Sequence, residues 1–312
     1  MELLSLYIKS RSETDVRDLC GRIETELRDL HNENNGVQLQ ISGQDQSSKS
    51  YVKIAIQAIL PGFQLLQMSP LVYQAVSSVL AEHLLIEEEP RLLKDMIHKE
   101  FHYQEMKDID AIEKYCEQFL NGEHTDTTAV STEARNRRKS KISKSLYEYM
   151  EQHVSLNLDG YMRFRLGEYM EELREIVEYA IDEYTMEQQY QEFISLLKYF
   201  VYIQEAKVPI AHLIHKGGHE FEILNELMQP INPADFESTL TMEHLEKDMN
   251  FEDMIVSTLI TVSPASIFIH TREPDLSIIK TIRQIFEDRT EVCPSCRICH
   301  HYLGERIKQD GL

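Results

Sequence analysis

The sequence has no phosphate-cradling G-x-x-x-x-G-K run, no G-x-G-x-x-G fingerprint and no G-x-S-x-G nucleophile elbow. The common signatures of nucleotide-dependent and serine-hydrolase chemistry are therefore missing, which removes the usual grounds for asserting catalysis without excluding it. Basic charge is scarce: 32 Lys and Arg stand against 53 Asp and Glu, a net charge of −21. Such a surface repels nucleic-acid phosphates and anionic lipid and favours basic partners. The uncharged stretch Met254–Ile269 holds five Ser or Thr residues and Pro264, and it falls short of the roughly 20 apolar residues of a membrane span. The opening MELLSLYIKSR has no cationic start followed by a long apolar stretch, so we expect no signal peptide and a cytoplasmic protein. Only five cysteines occur in 312 residues, three of them clustered. That fits reduced thiols or metal ligands better than a disulfide framework.

What is present is clearly patterned. Hydrophobic residues make up 42% of the chain, enough for a packed core. Leu4, Leu6 and Ile8 alternate as in a half-buried strand. Val16, Leu19, Cys20, Ile23, Leu27 and Leu30 keep helical spacing behind a cap at Ser12 or Thr14. GVQLQIS and YVKIAIQAI alternate again around a polar turn, which predicts a small β-α-β-β unit. Ser69-Pro70 predicts a helix start, and Pro90 interrupts the apolar stripe that follows. Further helices carry Leu93, Met96 and Ile97, then Ile109, Ile112 and Cys116.

Asn121–Ser145 contains no aromatic residue and few large apolar ones, so it is predicted to be a linker, basic in its second half. It would separate an N-terminal α+β domain, residues 1–120, from a helix-rich domain, residues 146–312. In the second domain, long helices precede a hairpin whose Gly217-Gly218 turn is expected to pair Ile214 with Phe221. A helix through Met254–Val262, the strand SIFIH and a helix bearing Leu276, Ile279, Ile282 and Ile285 complete it. The expected class is α+β and helix-dominated: the β-α-β-β unit, central long helices, the hairpin, and a C-terminal strand-helix followed by a cysteine knuckle.

The knuckle is EVCPSCRICHH, Glu291–His301. Cys293-x-x-Cys296 can turn two thiolates toward one metal while nearby backbone amides donate to sulfur. Cys299 adds a third thiolate, and His300 or His301 is the candidate fourth ligand in a Cys3His zinc set. The spacing is tight, and a distant residue is the alternative fourth ligand. Unliganded reduced thiols remain a competing reading. Cys296-Arg-Ile-Cys299-His300 also matches the haem-attachment pattern, but that chemistry needs an exported setting. The run begins an iron–sulfur motif as well, yet it lacks the fourth cysteine, and Cys20 and Cys116 lie on apolar helix faces. Thioredoxin-like exchange is a minor alternative.

Other clusters read as structural. His98 and His102 are four apart, which is ligand spacing on a helix, but the glutamate sits at the wrong place for a metalloprotease. His212 and His215 fall on opposite faces of their strand. Glu175, Glu178, Asp182 and Glu183 lack the Glu-x-x-His partner of carboxylate metal sites and read as a solvated face. Arg135, Arg137, Arg138, Lys139, Lys141 and Lys144 have no interleaved aromatic on which a base would stack, so they read as solvated or as partners of the protein's own acidic surface, with nonspecific phosphate contact through one exposed, folded face as the lesser alternative.

Three blocks carry a family resemblance: LDGYMRFRLGEYMEELREIVEYAIDEY, then QEFISLLKYFVYIQE, then STLITVSPASIFIH followed by TIRQIFEDRTEVCPSCRIC. In this order and spacing the chain resembles the YtxC-like sporulation proteins of endospore-forming bacteria, over roughly Tyr147–Cys299. The resemblance implies a bacterial cytosolic setting and a link to sporulation, and it implies no reaction. The resulting expectation is a structural or interaction component with a protein partner of unknown identity and zinc as the candidate cofactor. The alternative is a metal- or thiol-dependent enzyme built on the same cysteines.

Overall fold

A computed structural model describes residues 2–9, 13–28, 37–43, 51–58, 65–122, 128–232 and 251–303. The cap expected at Ser12 or Thr14, and the turn expected between the second and third strands, fall on side chains and residues outside that set. The chain divides into two compact units, Met1–Met186 and Glu187–Leu312.

In the first unit, β1 (Glu2–Lys9), α1 (Glu13–Leu27), β2 (Val37–Gly43) and β3 (Tyr51–Ala58) form the expected β-α-β-β unit. β1 pairs antiparallel with β3, setting Leu6 opposite Ile54 and Leu4 opposite Ile56. β1 is buried on both faces rather than one, because Leu3 and Ser5 are covered as fully as Leu4 and Leu6. Its second neighbour is β4 (Ser155–Asn157), a three-residue parallel strand that makes β1 internal in the order β2-β3-β1-β4. Strands that short leave no alternation to read.

Helices α2 (Leu65–His83), α3 (Glu89–Lys99), α4 (Met106–Asn121), α5 (Thr128–Gln152) and α6 (Leu158–Arg165) complete the unit with the first half of α7 (Gly167–Ile203). α2 begins at Leu65 and carries Pro70 inside it, rather than starting at Ser69-Pro70. Proline there forfeits the bond to the carbonyl four residues back, that of Leu66, in a first turn where Leu66 is 95% exposed. Pro90 follows a π-helical turn, Leu84–Glu88, and opens α3 as expected.

The expected linker is mostly helix. From Thr128 onward it belongs to α5, whose Ile142, Leu146 and Met150 are buried in the first unit's core. The division of the chain falls at Met186, within α7, instead of at 121–145. One buried apolar residue per turn is a thin stripe, and the basic run finds acidic partners far away in sequence. Lys139 pairs with Glu82 at 3.0 Å and Arg138 with Glu89 at 3.4 Å, while Arg135 reaches Glu82 and Lys141 reaches Glu172. Arg137 and Lys144 pair with Glu133 and Glu148 on their own helix. The run is therefore partnered by the protein's own carboxylates. Glu89 is buried and accepts the Tyr169 hydroxyl as well as Arg138, joining α3, α5 and α7.

The second unit contains the rest of α7, then β5 (Val208–Gly217), β6 (Glu220–Asn225), α8 (Phe251–Val262), β7 (Pro264–His270), α9 (Ser277–Phe286), β8 (Thr290–Val292) and α10 (Arg297–Leu303). The sheet order is β6-β5-β7-β8, with β5, β7 and β8 parallel and β6 antiparallel. α9 buries Ile278, Ile279, Ile282, Ile285 and Phe286, and these pack with Leu213, Leu259, Ile267 and Ile269. The hairpin forms, but Phe221 faces His215 and Ile214 faces Glu222. The register slips by one because of an irregularity between His215 and Gly217, where Gly217 and Gly218 take φ of 119° and 58°. The fold is thus α+β and helix-dominated, with two small mixed sheets.

Candidate metal centre

The site arises where two parallel strands end together. β7 and β8 pair with Ile269 beside Val292, so His270, the last residue of β7 and still paired with Ile214 of β5, stands next to Cys293, the first residue beyond β8. The Cys293 N–H donates to the Ile269 carbonyl at 2.9 Å, which extends the ladder into the cysteine segment. The chain then turns through Pro294-Ser295 and enters α10, where the His300 N–H donates to the Cys296 carbonyl at 3.1 Å. This local fold brings Cys293, Cys296 and Cys299 back over the end of β7.

Four ligand atoms converge there. The sulfurs of Cys299 and Cys293 are 3.7 Å apart and those of Cys296 and Cys299 3.8 Å. Nδ1 of His270 lies 3.3 Å from the Cys299 sulfur and 3.6 Å from that of Cys296. All four ligand atoms lie within 4.8 Å of one another. The scale is diagnostic. In a tetrahedron with metal–sulfur bonds of about 2.3 Å, two sulfurs stand about 3.8 Å apart; with a metal–nitrogen bond of about 2.0 Å, sulfur and nitrogen stand about 3.5 Å apart. The cysteines are free thiols, not a disulfide. The separations suit thiolates sharing one ion better than a four-iron cluster, in which each would bind its own iron.

The electrostatics differ from residue to residue. His270 is only 2% exposed, and burial, reinforced by neighbouring His212, pulls its pKa down to about 4. The imidazole is therefore neutral at pH 7, the form that binds metal. Burial pushes the Cys293 thiol up to about 12, and the hydrogen bonds it shares with Cys296 and Cys299 add to the rise. At Cys296 burial also pushes upward, but the backbone N–H groups of Cys299 and Ile298 and the neighbouring thiols outweigh it and lower the value. Backbone donation to a knuckle sulfur is what the Cys-x-x-Cys spacing led us to expect.

The fourth member is His270, not His300 or His301. Both of those histidines are exposed on α10, and His301 packs edge-on against Tyr302 at 4.9 Å. Residues 300 and 301 follow Cys299 directly and run on with the helix, so the short segment does not fold them back onto the thiols. No local pattern reaches His270, because only the pairing of β7 with a three-residue strand brings it near the cysteines. The available signal was its place at the end of SIFIH, together with the need for a distant fourth ligand. His98 and His102 do not share a helix face: α3 ends at Lys99, and His102 lies outside it with φ of 64°. His212 and His215 do occupy opposite faces. His215 contacts Thr271 Oγ1 at 2.9 Å and the Gly218 carbonyl at 3.2 Å, whereas His212 contacts His270 at 3.1 Å. Glu175, Glu178, Asp182 and Glu183 are exposed, and Cys20 and Cys116 are buried. Burial first, then nearby glutamates, drives those two thiols up to about 11 and about 12.

The fold and site define an α+β protein with a Cys3His group of metal-binding geometry. Residues 74–291 match the YtxC-like family, and the chain belongs to it. It is 24% identical over 242 residues, 78% of this chain and 82% of the relative, to "Uncharacterized protein YtxC" of Bacillus subtilis (strain 168). No solved structure matches. The family match includes His270 and stops two residues before Cys293. Among the described residues no helix is long and apolar enough to cross a membrane.

Proposed function

We propose that the chain holds one zinc ion through His270, Cys293, Cys296 and Cys299, in a closed structural site that fastens the C-terminal segment to the end of β7. The observation that carries this reading is the chain of four separations from 3.3 to 3.8 Å that links the imidazole nitrogen and the three sulfurs, with all four atoms within 4.8 Å of one another. Four protein ligands complete a tetrahedron and leave no position for water or substrate, which favours a structural over a catalytic metal. The protein then acts as an interaction component in the cytoplasm and not through chemistry at the metal. The enzyme alternative would need an open position on the ion.

The sporulation role rests on the family resemblance. Deletion is expected to lower spore yield or resistance and leave vegetative growth unchanged; normal spores with a growth defect would count against that role. The zinc reading is tested by elemental analysis of untagged protein, wild type against Cys296→Ser. Near-stoichiometric zinc, lost in the variant, is expected. Freely titratable thiols without metal would sink it.

A further inference from the structure

We propose that His212 is the positioning residue of this centre: it accepts the proton of His270 Nε2 and so reserves Nδ1 for the metal. The proposal rests on the zinc reading above and adds a residue outside the ligand set. The imidazole of His270 has two nitrogens with different neighbours. Nδ1 faces the sulfurs of Cys299 and Cys296, at 3.3 and 3.6 Å. Nε2 lies 3.1 Å from Nδ1 of His212. A neutral imidazole carries one proton. If Nδ1 is to give its lone pair to a metal, that proton must sit on Nε2 and needs an acceptor. His270 is 2% exposed, and Nδ1 of His212 is the partner the fold supplies.

The fold also fixes the acceptor. His212 lies on β5 opposite Phe268 of β7, and the two rings stack with centroids 5.6 Å apart at 25°. With its Nδ1 accepting, His212 carries its own proton on Nε2, so one hydrogen bond sets both tautomers. His215 cannot substitute, because it lies on the other face of β5 and is engaged with Thr271 and Gly218. The choice of an imidazole also has an electrostatic reason. Three thiolates on a divalent ion leave one net negative charge. A carboxylate partner would add a second in a half-buried site, whereas a neutral ring adds none.

Removing the acceptor leaves His270 either with a buried N–H unpaired or with its proton moved to Nδ1, where it blocks the metal. The test is chelator competition for zinc in the full-length protein, comparing wild type, His212→Phe and His212→Asn. Phenylalanine keeps the stacking on Phe268 but accepts nothing; asparagine Oδ1 replaces the Nδ1 acceptor. The phenylalanine variant is expected to bind zinc about 10–100-fold more weakly, and the asparagine variant to recover most of that loss. A second readout needs no variant: imidazole nitrogen NMR of the zinc-loaded wild type should show His270 protonated at Nε2 and metal-bound at Nδ1. Wild-type affinity in His212→Phe, equal losses in both variants, or the opposite tautomer at His270 would overturn the role of His212 while leaving the zinc site standing. A wild type that binds no zinc overturns both.

Discussion

On the zinc proposal, stripping the ion should loosen the second unit by an amount that the chain's connectivity sets. His270 and Cys293 are 293 − 270 = 23 positions apart. A single ion binding both closes a loop of that length in the unfolded chain, and a cross-link over such a loop contributes about 3.5 kcal/mol on the chain-entropy account. Cys296 and Cys299 add to this, and whole structural zinc sites in small peptides reach about 10–16 kcal/mol in apparent binding energy, so the loop value is a floor. The protein's own hold on the segment is the Cys293–Ile269 backbone bond, the Arg272 bond to the Leu303 carbonyl and Lys216 over the Tyr302 ring at 6.0 Å. Cys293, Cys296 and Cys299 are half-buried, and α10 buries no residue fully. The assay is hydrogen exchange and urea unfolding of untagged protein before and after treatment with a strong chelator. We expect the loss of at least about 3 kcal/mol, with faster exchange at the amides of Cys293 and His300, while the strand pair carrying Leu6 and Ile54 keeps its protection. An unchanged unfolding midpoint and unchanged exchange after complete zinc removal would refute the fastening role, whatever the site binds.

Replacing His270 with alanine should abolish stoichiometric zinc, while His300→Ala and His301→Ala retain it by elemental analysis; loss in the latter two would restore the ligand set expected from sequence. Tyr169→Phe removes the hydroxyl that donates to buried Glu89 and should cost about 2 kcal/mol in urea unfolding of the first unit; a change below about 0.5 kcal/mol, the size of an ordinary surface substitution, would show that this contact is dispensable. Burial raises the Glu89 pKa, only partly offset by Tyr169 and Arg138. A carboxyl whose folded value lies above its unfolded value contributes stability below the unfolded value and loses it as pH rises through the folded one. The stability of wild type relative to Glu89→Gln should therefore fall as pH rises from the low fours toward neutrality, and a difference that grows with pH would contradict the assignment. Limited trypsin digestion should spare Arg138, which is paired with Glu89 and donates to the Leu120 carbonyl; early cleavage there would place α5 outside the core.

Parts of this architecture are written locally and parts are not. α9 is legible because Ile278, Ile279, Ile282, Ile285 and Phe286 mark one face of one helix. The β5–β6 hairpin is legible from its glycine pair, but its register is not, since the extra residue near Lys216 is a matter of backbone conformation and not of pattern. α5 hides because its buried stripe is only Ile142, Leu146 and Met150, and because the carboxylates that partner its basic run, Glu82, Glu89 and Glu172, lie outside any local window. The same contrast runs through the metal centre. The three cysteines share a seven-residue segment and announce themselves. His270 and His212 join them only through parallel pairing of β5 with β7 and β7 with β8. Long-range register, unlike a motif, depends on which strands find each other.

Zinc K-edge X-ray absorption of the purified full-length protein reads the proposed ligands His270, Cys293, Cys296 and Cys299 without an intermediary. We expect one zinc per chain with three sulfurs at about 2.3 Å and one nitrogen at about 2.0 Å, the nitrogen shell disappearing or being replaced in His270→Ala. A first shell dominated by oxygen and nitrogen, four sulfurs, or a nitrogen shell unchanged in His270→Ala would contradict that ligand set.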